Sequence, residues 1–232
     1  MAFAVAAAYV NNNGGTSVTS GAFDVTTGDL IVVAGNSDEG FNAPTFTISD
    51  NQTPDLVYTE IARRSDTDGL DGAVIAYYHV VAAPLTGLTI TLAVSGTDCD
   101  SPAIKVYKAA AADFDSADVI GALAEGDWTT SGQQTASITP ETSGVGVMVA
   151  TDWNQNGVPT SADTTETGFD TDGDISGMSG FVALSAGVGA TADMTPATGT
   201  PSGNYIWFEI RAAGGGAGAT VKLRRFGLMG VQ

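Results

Sequence analysis

Leu88-Thr-Ile-Thr-Leu-Ala-Val94 alternates without a break: Leu88, Ile90, Leu92 and Val94 share one parity, Thr89 and Thr91 the other. Successive side chains of a strand point to opposite faces, so a period of two predicts a β-strand with one buried and one wet face. The same signature recurs on both sides of this stretch. Pro44-Thr-Phe-Thr-Ile-Ser49 alternates and is closed by Asp50-Asn51, and Asp29-Leu-Ile-Val-Val-Ala34 is a β-branched run between Thr26-Thr27-Gly28 and Gly35-Asn36. Leu56-Val-Tyr-Thr-Glu-Ile-Ala62, Ala73-Val-Ile-Ala-Tyr-Tyr-His-Val-Val81 and Ala103-Ile-Lys-Val-Tyr-Lys108 read as further strands, the second apolar on both parities. Turn residues separate the runs at short intervals, the pattern of an all-β, antiparallel sandwich or jelly roll and not of βαβ units. Met1 to Val10 reads as a first strand. It lacks the basic start of a cleaved signal peptide, and its apolar run ends at Asn11-Asn12-Asn13. The helix candidates, Ala109–Ala112 and Ser116–Ala124, are Ala-rich but broken by acids and Gly, which allows at most one short helical turn.

The second half echoes the first. Asp66-Thr-Asp-Gly-Leu-Asp-Gly-Ala-Val-Ile-Ala-Tyr-Tyr78 is matched by the segment from Asp170-Thr-Asp-Gly to Leu184, Thr27–Ala34 by Thr142–Ala150, and Ala103–Ala110 by Tyr205–Ala213, in the same order. Two divergent repeats, about 16–125 and 135–213, are therefore expected within one sandwich spanning 1–213. Gly214-Gly-Gly-Ala-Gly-Ala219 has linker composition. Residues 220–232 form a tail that is both apolar and basic.

Charge excludes several function classes. The 232-residue chain carries 26 acids, 20 of them Asp, against 8 Lys plus Arg, for a net charge of −18. Such a field repels phosphate, so a nucleic-acid partner is not expected. A lone Cys99 makes no disulfide framework, and no apolar stretch is long enough for a transmembrane helix. The charge is unevenly placed: residues 1–213 hold 5 basic and 26 acidic residues, a net of −21, while the tail holds Lys222, Arg224 and Arg225 and no acid.

Catalytic chemistry is thinly represented. A Ser-His-Asp site would have to use His79, the single histidine, which sits mid-strand with no nucleophile motif beside it. Glu39, Glu60, Glu125, Glu141, Glu166 and Glu209 are the glutamates available for paired-carboxylate chemistry. Most stand in loop-like sequence, and no pair stands out. Gly187-Val-Gly189 resembles part of a dinucleotide fingerprint, but Pro196 and Pro201 block the helix it would need. Calcium is the one metal with candidate ligands. Asp66, Asp68 and Asp71, with Asp170, Asp172 and Asp174, can supply oxygens, or they can simply be turn formers. No other cofactor is expected. Trp153 beside Asn154 and Asn156 offers a flat apolar face with amides, the composition of a glycan platform, or a ring folded over the sandwich edge.

The run Thr-Thr-Gly-Asp-Leu-Ile-Val-Val33, the Thr-rich strand closing on Asp50-Asn51, Ala73–Tyr78, the alternating Leu88–Val94 and Ile104-Lys-Val-Tyr-Lys108 together resemble duplicated jelly-roll structural proteins of tailed bacteriophages, over roughly residues 16–213. The resemblance implies a non-enzymatic role on the virion surface, such as capsid decoration or cementing. The expected partners are the major capsid protein or another virion protein and further copies of this chain. A carbohydrate- or receptor-binding module is the alternative. The tail residues Lys222, Leu223, Arg224, Arg225 and Phe226 are the expected assembly contacts, unless 220–226 is a last strand of the sheet. If the Asp loops hold calcium, millimolar calcium raises the melting temperature and a chelator reverses the rise. An unchanged melting temperature leaves them as turns.

Overall fold

Leu-Ile-Val-Val-Ala, residues 30–34, is buried on both parities, every residue at 0 % exposure. A strand in that state needs apolar layers on both sides, and the architecture supplies them. The structure is a computed structural model of the chain. It describes residues 2–12, 14–38, 44–65, 72–96, 99–128, 134–153, 158–161, 163–170, 175–195 and 203–214. Among these the secondary structure is all β. The first half holds β1 (Phe3–Asn11), β2 (Ser17–Thr19), β3 (Phe23–Val25), β4 (Leu30–Ser37), β5 (Thr45–Asp50), β6 (Thr59–Arg64), β7 (Ala73–Val80), β8 (Leu85–Leu88), β9 (Ile90–Ser95) and β10 (Ala103–Ala109). The second holds β11 (Ile120–Trp128), β12 (Gln134–Ile138), β13 (Val145–Trp153), β14 (Thr165–Asp170), β15 (Ile175–Ala183), β16 (Ala190–Met194) and β17 (Gly203–Ile210).

These strands make four layers. Two five-stranded antiparallel sheets, ordered β1-β10-β4-β7-β6 and β11-β17-β13-β15-β14, pack face to face at the centre. The sheet β2-β9-β5 with the pair β3-β8 covers the outer face of the first, and the pair β12-β16 covers that of the second. The alternating stretch that opens the sequence argument is β9 with the end of β8. Leu88, Ile90, Leu92 and Val94 turn inward against Ile31, Val33, Ile104 and Val106 of the first inner sheet. The central layer sets Leu30, Val32, Val74 and Tyr107 against Val145, Val147, Val149, Ile206 and Phe208.

The two inner sheets correspond strand for strand. Leu30 pairs with Val80 and Ala109, and Val145 pairs with Ala183 and Ile210 in the same places of the ladder. At the next strand out, Thr59-Glu60 faces Tyr78-Tyr77 as Thr165-Glu166 faces Phe181-Gly180. The sheets stack in reversed order, with β4 and β13 at the centre, β6 near β11, and β1 near β14. The arrangement is an approximate two-fold.

One end of the central layer is polar. Asn36 donates from Nδ2 to the Ala150 carbonyl at 3.0 Å, and Lys105, 1 % exposed, donates from Nζ to the Ser179 carbonyl at 3.0 Å. The Tyr107 hydroxyl lies 2.6 Å from Ser179 Oγ, and Asn204 donates to the Gly72 carbonyl. At the rim Arg64 grips Asp127 with two hydrogen bonds of 2.6 and 2.5 Å. Each contact joins the halves, and each is directional where apolar packing is not.

Ser116–Ala124, allowed at most one short helical turn by its sequence, forms none. A bend leads into β11, whose edge hydrogen bonds to β17 outweigh its alanine content. Glu60, Glu125, Glu166 and Glu209 lie on strands, not in loops.

Glycine at 146 is dictated by Trp207, since a Cβ there would stand 2.0 Å from the indole ring. Trp207 is fully buried and cannot yield. Gly146→Ala is expected to cost about 1–3 kcal/mol in urea unfolding by overpacking. Gly189→Ala, where an added Cβ meets nothing within 4 Å, is expected to stay within about 0.5 kcal/mol of wild type.

Candidate functional site

The chain crosses from the first half to the second between β10 and β11, along residues 110–119. Short backbone bonds shape this connector: Asp113 N–H to the Ala110 carbonyl at 2.9 Å and Asp118 N–H to the Asp115 carbonyl at 3.3 Å. The end of the body runs antiparallel to it. Arg211 N–H donates to the Val119 carbonyl at 2.9 Å, Asp115 N–H to the Arg211 carbonyl at 3.0 Å, and Ala213 N–H to the Asp113 carbonyl at 3.1 Å. The Arg211 guanidinium is ion-paired with both Asp118 and Glu141.

Between the connector and the end of β7 lies a cleft of about 370 Å³, bounded by residues 116–120 on one side and by Val57, Thr59 and residues 78–80 on the other. His79 stands in its wall. The imidazole Nδ1 is 2.8 Å from the Val57 carbonyl, which can only accept, so Nδ1 is the donor in this contact. Nε2 has no hydrogen-bond partner among the described residues. A nucleophile–base pair requires that bond, and no hydroxyl among the described residues makes it.

Asp50 holds the segment that brings Val57 to His79. Its carboxylate accepts from Gln52 N–H at 2.8 Å, Leu56 N–H at 3.0 Å and the Tyr58 hydroxyl at 3.0 Å. Burial and the Asp50 charge push the Tyr58 hydroxyl far above the usual phenol range, so it remains a neutral donor.

Glu209 is the most enclosed glutamate described here, at 0 % exposure. Its Oε1 accepts from Thr142 N–H at 2.7 Å and the Thr142 hydroxyl at 2.6 Å, and its Oε2 from Glu141 N–H at 2.8 Å and Ala122 N–H at 3.1 Å. Burial raises its pKa, and these hydrogen bonds more than reverse that, leaving it below the ordinary 4.5. The four donors tie β11 and the 141–142 turn to β17. The carboxylate is thereby a structural clamp with no lone pair directed at a substrate. Asp193 is used similarly, accepting from Ser161 Oγ at 2.8 Å and Asp163 N–H at 3.0 Å.

The residues singled out in sequence fall mostly elsewhere. Asp66, Asp68, Asp71, Asp172 and Asp174 lie outside the described residues, and Asp170 ends β14 opposite Ser176. Among the described residues no three His, Cys, Asp or Glu side chains gather into a metal site. Trp153 is the last residue of β13, paired with Ile175, and Asn154 and Asn156 lie outside the described residues. So do Lys222, Leu223, Arg224, Arg225 and Phe226. Trp207 is core. The cleft itself was not legible in sequence beyond His79, because Val57 and residues 116–120 meet only through the stacking of the halves. Among the described residues no helix is long and apolar enough to cross a membrane.

Comparison with family models, with curated proteins and with solved structures finds no match to this chain.

The Glu209 clamp makes acid stability testable. Its folded pKa lies below its unfolded value, so its contribution is complete above about pH 4.5 and fades as pH falls through the folded pKa. Glu209→Gln removes the charge and sets an amide N–H against backbone donors. It is expected to cost about 1–3 kcal/mol at pH 7. The gap between variant and wild type should narrow below pH 4 in denaturant titrations.

Proposed function

We propose that this chain is a non-enzymatic structural protein of a particle surface, a decoration or cement protein on the head of a tailed phage. In this reading an acidic body is tethered through residues 214–219 to a basic assembly tail. The observation that carries the reading is the fate of the body's cations. Arg63 pairs with Glu60, Arg64 with Asp127, and Arg211 with Asp118 and Glu141. Lys105 is buried on the Ser179 carbonyl, and Lys108 donates to the Asp24 carbonyl at 2.9 Å. All five basic residues of 1–213 are thus engaged within the body, while among the described acids only Asp29, Asp152, Asp193 and Glu209 are buried. The body repels like surfaces, and the +3 tail is the chain's one cationic feature with no acid of its own. Such a tail suits contact with an acidic neighbour, either a shell protein or a second copy.

The phage-head placement is supported by the resemblance of the strand pattern. The matching order and register of the two inner sheets supports descent of the halves from one repeated sandwich unit of jelly-roll kind. In that history an ancestral two-fold pair became a single chain, which accounts for the reversed stacking.

The test is the solution mass of the full chain by light scattering, for wild type and for K222E/R224E/R225E. A defined oligomer is expected for wild type, dissociating as salt shortens the screening length from about 10 Å at 0.1 M to about 3 Å at 1 M. The charge-reversed chain is expected to be a monomer at all salts. Identical monomers in both would overturn assembly through the tail and turn attention to glycan binding.

A further inference from the structure

The cleft of about 370 Å³ between the connector and the end of β7 has a mostly polar lining in which no Lys or Arg takes part. Thr59 pairs with Tyr78 across β6 and β7, so their side chains stand on one face of the sheet, and Ser116 lies in the opposite wall. Each of the three hydroxyls can donate and accept. Among the described residues none of them is taken up by another protein group. The one acid of the lining, Asp118, is ion-paired with Arg211. The Tyr78 ring, Val57 and Ile120 set apolar surface beside the hydroxyls. The walls are held in place from behind. Asp50 fixes the segment leading to Val57 through Gln52, Leu56 and Tyr58, His79 Nδ1 donates to the Val57 carbonyl at 2.8 Å, and Arg211 N–H holds the Val119 carbonyl at 2.9 Å. A site already ordered loses little freedom on binding. The related place in the second half has no such room. Phe181 holds the ladder position of Tyr78 there, and its ring meets Phe3 edge to face at 5.2 Å.

We propose that this cleft binds a neutral sugar unit, as a free saccharide or as the end of a glycan chain, through the hydroxyls of Thr59, Tyr78 and Ser116. Three properties select this ligand class. The first is size, which lies at the lower end of the range in which pockets enclose a small molecule. The second is charge. An anion would approach a body of net −21 and meet no cation in the lining, and a cation would find the only carboxylate already paired. The third is pattern. A sugar carries hydroxyls around its rim and C–H groups on its faces, which matches hydroxyls set beside a tyrosine ring and small apolar side chains. A wholly apolar ligand would strip water from those hydroxyls and give nothing back. The cleft is separate from Trp153. Ile120 ladders through Ile210 to Val145 at the start of β13, whereas Trp153 ends that strand, about 26 Å further along it. The inference concerns the body alone and does not rest on the particle-surface reading.

The test is titration of the isotope-labelled full chain with glucose, galactose, N-acetylglucosamine, maltose and cellobiose, read as amide shifts by NMR. At least one of these sugars is expected to give a saturable shift confined to residues 57–59, 78–80 and 116–120, with a Kd of about 1 mM or tighter. Thr59→Ala and Ser116→Ala change exposed side chains, and Tyr78→Phe keeps the ring. Each is expected to weaken that binding about three- to tenfold, with the melting temperature as the check on folding. Glucuronate, a sugar ring bearing a carboxylate, is expected to bind about tenfold more weakly than the neutral sugar. Tighter binding of the disaccharides than of glucose would support a chain end as the natural ligand, and equal binding a free sugar. No saturable shift with any of the five sugars, a shift centred on Trp153 instead, binding that all three variants leave unchanged, or glucuronate bound as tightly as the neutral sugar would each overturn the proposal. Loss of the oligomer in the charge-reversal experiment leaves these outcomes untouched, so the two readings fail separately.

Discussion

The structure depends on one requirement: two five-stranded sheets must each be dry on both faces. Leu30, Val32 and Ala34 look into the layer between the halves, while Ile31 and Val33 look the other way, and none of the five is exposed. At roughly 25 cal/mol per Å² of apolar surface, exposing either face of such a sheet would cost more than a domain's whole margin of stability. The outer sheets and the stacking of the halves are the two ways this requirement is met. It also explains why the outer layers differ, three strands with an added pair on one side and two strands on the other. A cover need only be as wide as the apolar face beneath it.

Apolar packing alone would let the inner sheets slide over one another. The polar end of the central layer opposes that. Asn36 on the Ala150 carbonyl, Lys105 on the Ser179 carbonyl and Asn204 on the Gly72 carbonyl are met in one relative placement, and a shift by one residue would strand buried donors. Arg64 and Asp127 repeat the constraint at the rim with a bidentate pair. Lys105 and the Arg64–Asp127 pair thus serve the architecture of this body. Glu209 belongs with them, a carboxylate saturated by four donors that closes the second half onto the connector.

The two inner sheets are not filled alike at their rims. A two-fold arrangement predicts equal filling at related sites, and Phe3 with Phe181 fills one site while Ile120 with Tyr78 leaves the other open. Acids gather along the connector, where Arg211 pairs with one of them, Asp118.

The strands themselves were legible because burial on one face writes a period of two into the sequence, as in Leu88–Val94, and burial on both faces writes a continuous apolar run, as in Ala73–Val81. The ladders set Leu30 opposite Ala109 in one inner sheet and Val145 opposite Ile210 in the other, a register that segment resemblance in the sequence does not report. The alanines of Ser116–Ala124 favour a helix in isolation, but the edge of β17 decides for a strand from Ile120 onward. Lys105 and Tyr107 share a parity that reads as a wet face, and Lys105 is buried only because a second sheet arrives to accept its hydrogen bond. Sequence by itself determined what is local: strand period, turn chemistry, total charge and the split between acidic body and basic tail. Tertiary structure alone decided which faces meet, which charges are engaged and where a gap remains. Those depend on residues a hundred positions apart, and no local pattern encodes their distance.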